Sequence, residues 1–113
     1  MVKFIQVESN DELSRIRELF IEYARSLGFD LCFQDFDKEL AELPGEYAPP
    51  EGRLILAFEN TEIAGCVALR KMNEGICEMK RLYVRPGFRG IGIGRSLAVT
   101  IIDEARRAGY KLM

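Results

Sequence analysis

The sequence of 113 residues contains no histidine and no tryptophan. The lack of histidine removes a common zinc ligand and the usual base of hydrolytic triads, so no metal site is expected. Cysteine is scarce, because the chain has only three, an odd number at no metal-like spacing. We predict that all of them are reduced and mostly buried: Cys32, Cys66 and Cys77.

The sequence also lacks any long hydrophobic run. The longest apolar stretches, such as residues 54–58, are far too short to cross a bilayer, and the N-terminus lacks the apolar core of a signal peptide. Both absences predict a cytoplasmic protein with no membrane partner. Apolar residues make up 48% and charged residues 30% of the chain, a balance typical of a folded rather than a disordered chain. The length then predicts a single domain over residues 1–113.

Charge is distributed unevenly along the chain, although the net charge is only −2. Residues 1–79 carry 8 basic and 16 acidic side chains, whereas residues 80–113 carry 8 basic and 2 acidic ones. The region 80–95 has five positive charges and no negative one: Lys80, Arg81, Arg85, Arg89 and Arg95. Because glycines lie among them, we interpret this run as the surroundings of an anionic ligand, with a solvated basic face as the alternative. Nucleic acid is not expected as a partner, since the whole chain is acidic.

The first half of the chain predicts a strand and two helices. Residues 4–7 are typical of a short strand, and Ser9 with Glu12 forms a capping-box pattern at a helix start. Apolar residues at three- and four-residue steps then predict one buried helix face, made of Leu13, Ile16, Phe20, Tyr23 and Leu27. Gly28 is the predicted end of this helix. A second helix is predicted over residues 35–43.

The second half predicts a meander of three strands, over residues 53–59, 62–71 and 76–84. A helix follows over residues 92–108, and residues 110–113 indicate the opening of one more strand. The resulting order is β-α-α-β-β-β-α-β, which predicts an α/β domain with a mixed sheet.

Three glycines alternate between the last meander strand and the following helix: Gly90, Gly92 and Gly94. The first amides of a helix have no acceptor within the helix, and the helix dipole places partial positive charge there. Glycine lets such a turn approach a bulky phosphate closely. Arg89 and Arg95 flank the glycines, so this glycine loop (residues 89–95) is predicted to bind a pyrophosphate.

Two common phosphate loops are excluded by specific residues. The P-loop pattern requires a glycine followed by lysine, and the chain contains no such pair. The dinucleotide pattern G-x-G-x-x-G would need a further glycine at position 95 or 97, where the chain has Arg95 and Leu97.

The pattern that does fit is [QR]-x-x-G-x-[GA], which here runs from Arg89 through Gly92 to Gly94. Together with residues 80–95 and the tail 102–110, it resembles the signature region of the GNAT superfamily of N-acetyltransferases. The resemblance covers nearly the whole chain and is sharpest over residues 78–110.

This resemblance implies the acyl-CoA N-acyltransferase fold and acetyl-CoA as cosubstrate. The backbone amides that would bind the pyrophosphate belong to Gly90, Ile91, Gly92, Ile93, Gly94 and Arg95, next to the motif residue Arg89. In the family the preceding strand is bulged and splays from the next one. Its main chain would pair with the pantetheine arm along Leu82, Tyr83 and Val84, while the side chains of Leu82 and Val84 are expected in the core.

The resemblance also implies direct attack of a primary amine, on a small molecule or a peptide, on the acetyl thioester. With histidine absent, a carboxylate is the expected general base. Glu78, on the strand that leads to Leu82, is the leading candidate, and a surface residue on an edge strand is the alternative. The general acid is unassigned, because strand alternation sets Tyr83 on the face opposite Leu82.

Members of this family normally continue beyond the point where this sequence stops, with the rest of a fifth strand, a helix and a hairpin. We therefore expect either a fragment of a longer enzyme or a second chain that covers the exposed side, as a homodimer or by exchange of elements. The alternative function is a non-catalytic CoA-binding or interaction module.

Overall fold

The computed structural model describes residues 2–27 and 36–113. In chain order they form strand β1 (Val2–Gln6), helices α1 (Asn10–Leu27) and α2 (Phe36–Glu42), strands β2 (Arg53–Glu59), β3 (Glu62–Asn73) and β4 (Ile76–Val84), and helix α3 (Ile93–Arg107). Short 3-10 turns, Gly45–Tyr47 and Pro86–Phe88, precede β2 and α3. None of the helices in the described ranges is long and apolar enough to cross a membrane.

The start of α1 confirms the predicted capping box. The Ser9 hydroxyl accepts the Glu12 amide at 3.1 Å. In return, the Glu12 carboxylate accepts the amides of Glu8 at 2.8 Å and Ser9 at 3.1 Å. The bonds from Glu8 and Ser9 lower the pKa of Glu12, so the cap is strongest with the carboxylate ionised. Gly28, predicted to end this helix, and residue 35, predicted to begin the next, lie outside the described residues.

The strands form one antiparallel sheet in the order β1-β2-β3-β4. β2 and β4 have the predicted bounds. β3 extends to Asn73 instead of ending at residue 71, and β1 covers residues 2–6 rather than 4–7.

Residues 110–113 differ from the predicted opening of a fifth strand. They make only an isolated parallel bridge between Leu112 and Ile76. The amides of Lys111 and Leu112 both donate to the Gly75 carbonyl, at 2.8 and 3.1 Å. After α3, the chain therefore forms hydrogen bonds to the β3–β4 turn. A single bridge to β4 is the one feature of the predicted strand that forms within the described residues.

Side-chain alternation along β2 divides the core into two parts. Leu54 and Leu56 pack against α1 and α2, whereas Ile55 and Ala57 pack against α3. Strands that are buried on both faces are apolar along their whole length, which explains the continuous apolar runs of β2 and β3. The sheet therefore lies between α1 and α2 on one side (the α1–α2 face) and α3 on the other (the α3 face). The predicted α/β fold is confirmed, but within the described residues the four strands pair only antiparallel, and the parallel part of the predicted mixed sheet is limited to the bridge between Leu112 and Ile76.

Two of the cysteines are buried, as predicted. Cys66 packs on the α1–α2 face and Cys77 on the α3 face, and both are free thiols. Burial raises the pKa of the Cys66 thiol to about 12, so this thiol is unreactive at neutral pH. Cys32 lies outside the described residues.

Gly65 allows β3 and β4 to approach closely beside the glycine loop. A Cβ atom at this position would lie 2.4 Å from the Tyr83 carbonyl oxygen and 3.2 Å from the Val84 Cα. Because both atoms are backbone, Gly65→Ala is expected to lower the free energy of unfolding by about 2–3 kcal/mol in denaturant titrations.

The matched control for Gly65 is Gly87→Ala, where a Cβ atom meets nothing within 4 Å. This variant is expected to stay within about 0.5 kcal/mol of the parent. Equal stability of the two alanine variants would contradict the steric reason given for Gly65.

Candidate functional site

The glycine loop has the backbone conformation that its sequence predicts. Gly90 and Gly92 lie in the left-handed region, at φ 87° and 84°. Gly92 is the N-cap of α3, and no side chain provides a capping hydrogen bond there. The first amides of α3 therefore have no acceptor within the helix and none from a cap.

A cavity of about 240 Å³ lies between the end of β4 and the start of α3 (the loop cavity). It is lined by Val84, Phe88, Arg89, Gly90, Gly92, Ile93 and Gly94. A Cβ atom at Gly90 or Gly92 would meet no neighbour within 4 Å, so this side of the cavity consists of accessible backbone. The structure thus brings five of the seven predicted loop residues together around one open space, whereas Ile91 and Arg95 are exposed and do not line it.

β4 contains a bulge, as the family resemblance implies. Tyr83 lies opposite Cys66 and Lys80 lies opposite Ala68, so two residues of β4, Arg81 and Leu82, face one residue of β3. Arg81 has φ 59°, in the left-handed region that is rare for a side chain of this size.

The bulge changes which side chains share a face. Lys80 lies beside Ala68 on the α1–α2 face, and Arg81 contacts α1 and α2 on that face as well. Leu82 and Val84 then pack on the α3 face, and Tyr83 is buried on the opposite one. The predicted orientations of these three side chains are confirmed: Leu82 and Val84 are half-buried against the core of the α3 face, and Tyr83 lies on the face opposite Leu82.

The side chain of Arg81 is held from three sides. Its guanidinium donates to the two carboxylate oxygens of Glu39 at 2.8 and 3.0 Å. The rings of Tyr23 and Phe36 lie 5.9 and 5.6 Å from the guanidinium carbon. Only 9% of the Arg81 side chain is exposed. A bidentate, stacked arginine of this kind fixes its own backbone, which explains how the strained bulge is maintained.

The five positive charges of residues 80–95 do not share one role. The interpretation of the whole run as the surroundings of an anionic ligand is therefore corrected. Arg81 is neutralised by Glu39, and Arg85 binds Glu22 through two hydrogen bonds of 2.7 and 3.0 Å. Arg85 is thus an ion-paired residue rather than a free surface charge or a ligand contact. Since these two arginines serve the fold, the cations left for a ligand are Lys80, Arg89 and Arg95.

Arg89 connects the glycine loop to β4. Its Nε donates to the Val84 carbonyl at 2.9 Å, and its guanidinium carbon lies 5.8 Å from the Tyr83 ring centre. The Tyr83 hydroxyl donates to Glu22 at 3.3 Å. Burial and the Glu22 charge raise the pKa of Tyr83, and its hydroxyl points towards α1.

Glu78 lies near the bulge, but it has a structural partner. Arg70 donates to its carboxylate at 2.8 Å and also to Glu46 at 3.0 Å. The Glu78 side chain is 41% exposed. It lines a cavity of about 300 Å³ (the bulge cavity), together with Tyr23, Met79, Lys80, Arg81 and Leu82.

A further cavity of about 390 Å³ lies between α2, the turn Gly45–Tyr47 and the strands β3 and β4 (the helix cavity). Its lining carries charges of both signs and includes Lys38, Glu39, Glu42, Glu46, Arg70 and Lys80. Lys80 lines this cavity and the bulge cavity alike. Sequence reasoning missed both cavities, because elements far from β4 in sequence contribute to them: α2 to the helix cavity, and α1, through Tyr23, to the bulge cavity.

Comparison with known proteins gives consistent findings. Residues 13–113 match the family described as acetyltransferase (GNAT) family. The chain is similar to an uncharacterized N-acetyltransferase of Schizosaccharomyces pombe, with 40% identity over 109 residues, 95% of this chain and 67% of that protein.

Solved structures share the fold. A GNAT family acetyltransferase of Staphylococcus aureus has a TM-score of 0.77 at 19% identity, covering 95% of this chain and 68% of that one. A predicted acetyltransferase of Clostridium acetobutylicum, solved with acetyl-CoA, also has a TM-score of 0.77 at 19% identity, covering 100% of this chain and 79% of that one.

Proposed function

The chain belongs to the acetyltransferase (GNAT) family, and from this premise we propose that it transfers an acetyl group from acetyl-CoA to a primary amine by direct attack. The observation that carries the proposal is the glycine loop: left-handed glycines at an uncapped helix start, next to a bulged strand and an open cavity. An uncapped helix start attracts phosphate through its amides and its dipole.

The cosubstrate fits the residues present. The amides from Gly90 to Arg95 would bind the pyrophosphate, because Gly90 and Gly92 leave backbone open to the loop cavity. Arg89 and Arg95 add positive charge on either side. The Clostridium acetobutylicum structure with acetyl-CoA supports this assignment through its fold.

β4 would hold the pantetheine arm along Leu82, Tyr83 and Val84. Within the described residues, β4 pairs with β3 on one edge, and on its other edge only Ile76 is bridged. An extended pantetheine chain can bind such an edge through main-chain hydrogen bonds, as an added strand does. The bulge at Arg81 supports this arrangement, since it interrupts the ladder beside the segment that would be used.

We assign the general base to Glu78. In direct attack, the amine nitrogen bonds to the thioester carbon, the carbon–sulfur bond breaks and the CoA thiolate leaves. The proton lost by the nitrogen passes to a carboxylate or to a water held by one. Glu78 lines the bulge cavity beside Leu82, and its bond from Arg70 engages one oxygen, Oε1. This bond would orient the carboxylate and leave Oε2 to accept the proton. The acid that protonates the thiolate has no assigned residue.

Calorimetry with acetyl-CoA, followed by thiol release across a panel of amines, tests the proposed function. We expect acetyl-CoA to bind, and at least one class of primary amine to release CoA thiol. Binding without release from any amine would favour the non-catalytic CoA-binding module instead. A folded protein with no detectable affinity for acetyl-CoA would contradict both functions.

A further inference from the structure

Two residues of β4 face the same side of the sheet next to the bulge. Glu78 lies opposite Arg70 and Lys80 lies opposite Ala68. Positions two apart on a strand are separated by roughly 7 Å and point to one face. Glu78 lines the bulge cavity, and Lys80 lines both that cavity and the helix cavity. One negative and one positive group therefore stand side by side where the two cavities meet.

The ion pairs around Glu78 and Lys80 do not neutralise every charge. Negative charge is in excess around Glu78, and positive charge is in excess at Lys80. Glu39 is bound by Arg81, whereas Glu46 and Glu78 share the single guanidinium of Arg70. The Arg70 cluster therefore carries excess negative charge. Among residues 2–27 and 36–113, no carboxylate lies within ion-pair distance of Lys80.

Lys80 is half-buried, and the charged groups around it do not offset the cost of taking its ammonium partly out of water. Desolvation lowers the pKa of the Lys80 ammonium, and repulsion from Arg81 and Arg70 adds to the effect, against the attraction of Glu39 and Glu78. A cation taken partly out of water is costly when no carboxylate forms an ion pair with it, as for Lys80 among the described residues. A ligand that brings an anion to Lys80 removes this cost, which gives such a ligand an advantage in binding.

We propose that the acceptor is an amine with a neighbouring carboxylate, of the amino-acid type, whose carboxylate binds Lys80 while its amine lies towards Glu78. This inference rests on the proposed function, because it names the substrate class of the same site. Lys80 acts as a specificity residue, and Glu78 receives the amine that attacks the thioester.

Acceptors of other charge fit this pair of residues less well. A plain amine leaves Lys80 without an anion, and a diamine places a second cation beside it. A molecule with both an ammonium and a carboxylate matches the separate negative and positive groups and keeps the site neutral. The helix cavity, at about 390 Å³, then has room for the acceptor's own side chain.

The experiment compares matched acceptors that differ only in the carboxylate: alanine, alaninamide and ethylamine, and likewise phenylalanine, phenylalaninamide and phenethylamine. Thiol release gives kcat/KM for each one. We expect kcat/KM for each acid to exceed that of its two carboxylate-free counterparts roughly tenfold or more, the effect of one hydrogen bond to a charged group. Equal or better turnover of the carboxylate-free amines would overturn the proposal while leaving the acetyltransferase function intact.

Lys80→Gln tests the residue itself. It is expected to lower kcat/KM for the acids roughly 10- to 100-fold, with little change for the carboxylate-free amines and an unchanged Kd for acetyl-CoA. Lys3→Gln, an exposed lysine on β1 outside both cavities, serves as the matched control for loss of one positive charge. An equal loss of kcat/KM for the acids and the carboxylate-free amines in Lys80→Gln would contradict the assignment of Lys80 as the residue that binds the carboxylate.

A binding measurement separates this inference from the proposed function. With CoA present, calorimetry compares N-acetylalanine with N-acetylethylamine on the parent and on Lys80→Gln. If no amine releases thiol but N-acetylalanine binds and loses affinity in Lys80→Gln, the carboxylate site stands and the proposed function fails. Equal affinities of the acid and the neutral compound for the parent overturn the carboxylate site.

Discussion

Replacing Gly92 with valine is expected to raise the Kd for acetyl-CoA roughly 100- to 10,000-fold, equivalent to losing two hydrogen bonds between amides and a charged phosphate. Gly92 has φ 84° and caps the start of α3. A β-branched side chain is strained at this angle, so the turn shifts and its amides lose their direction. The side chain also takes up space in the loop cavity, which Gly92 lines. Calorimetry with acetyl-CoA measures the change.

Gly75→Val is the matched control for Gly92. Gly75 has φ 73° and open space around its Cβ position, and it lies in the β3–β4 turn, outside the loop cavity. Both variants are expected to lose roughly 1–2 kcal/mol of unfolding free energy from the backbone strain. Only Gly92→Val is expected to lose affinity for acetyl-CoA. A similar rise in Kd in both variants would mean that general destabilisation, rather than the loop, weakens binding.

Glu78→Gln is expected to lower kcat about 100- to 10,000-fold, the range for removal of a general base, with the Kd for acetyl-CoA unchanged. Glutamine has the same shape and can still accept the hydrogen bond from Arg70, which is 2.8 Å long in the parent. It cannot take the proton of the attacking amine. Steady-state thiol release at saturating acetyl-CoA provides kcat, and thermal unfolding checks that stability is retained.

Glu46→Gln distinguishes proton transfer from ion pairing. Glu46 is the other carboxylate bound to Arg70, at 3.0 Å, so this variant also weakens the Arg70 cluster but leaves Glu78 in place. We expect a loss of kcat at least about tenfold smaller than in Glu78→Gln. Comparable losses in the two variants would mean that Glu78 supports the fold and is not the base.

The features that could be predicted from the sequence depend on neighbouring residues. The capping box joins Ser9 and Glu12 within one helical turn, and turn residues set both ends of β2 and β4. The glycine loop is also local, because left-handed φ angles at Gly90 and Gly92 follow from the residue type. Its place between strand and helix then indicated an anion site.

The remaining features depend on contacts between distant residues. The partner of Arg81 is Glu39, 42 residues away, and the partner of Arg85 is Glu22, 63 residues away. Charge counting cannot tell a cation held by such a partner from one open to a ligand. The position of the bulge was equally hidden, since an arginine at φ 59° has no local signature and is stabilised by the packing of α1 and α2.

The bulge at Arg81 has a consequence for experiments that transfer substrate preference by grafting a segment of β4 from a related chain. If Arg81 took part in a regular alternation instead of forming the bulge, Leu82 and Val84 would turn to the opposite face of the sheet. With the bulge, β4 consists of two segments, residues 76–80 and 82–84, and each one is held in position by its own packing contacts. Grafting residues 76–80 from a relative, one for one, therefore leaves the orientation of 82–84 intact as long as Arg81 and Glu39 are retained. β4 thus consists of two segments whose orientations are set separately on either side of the bulge.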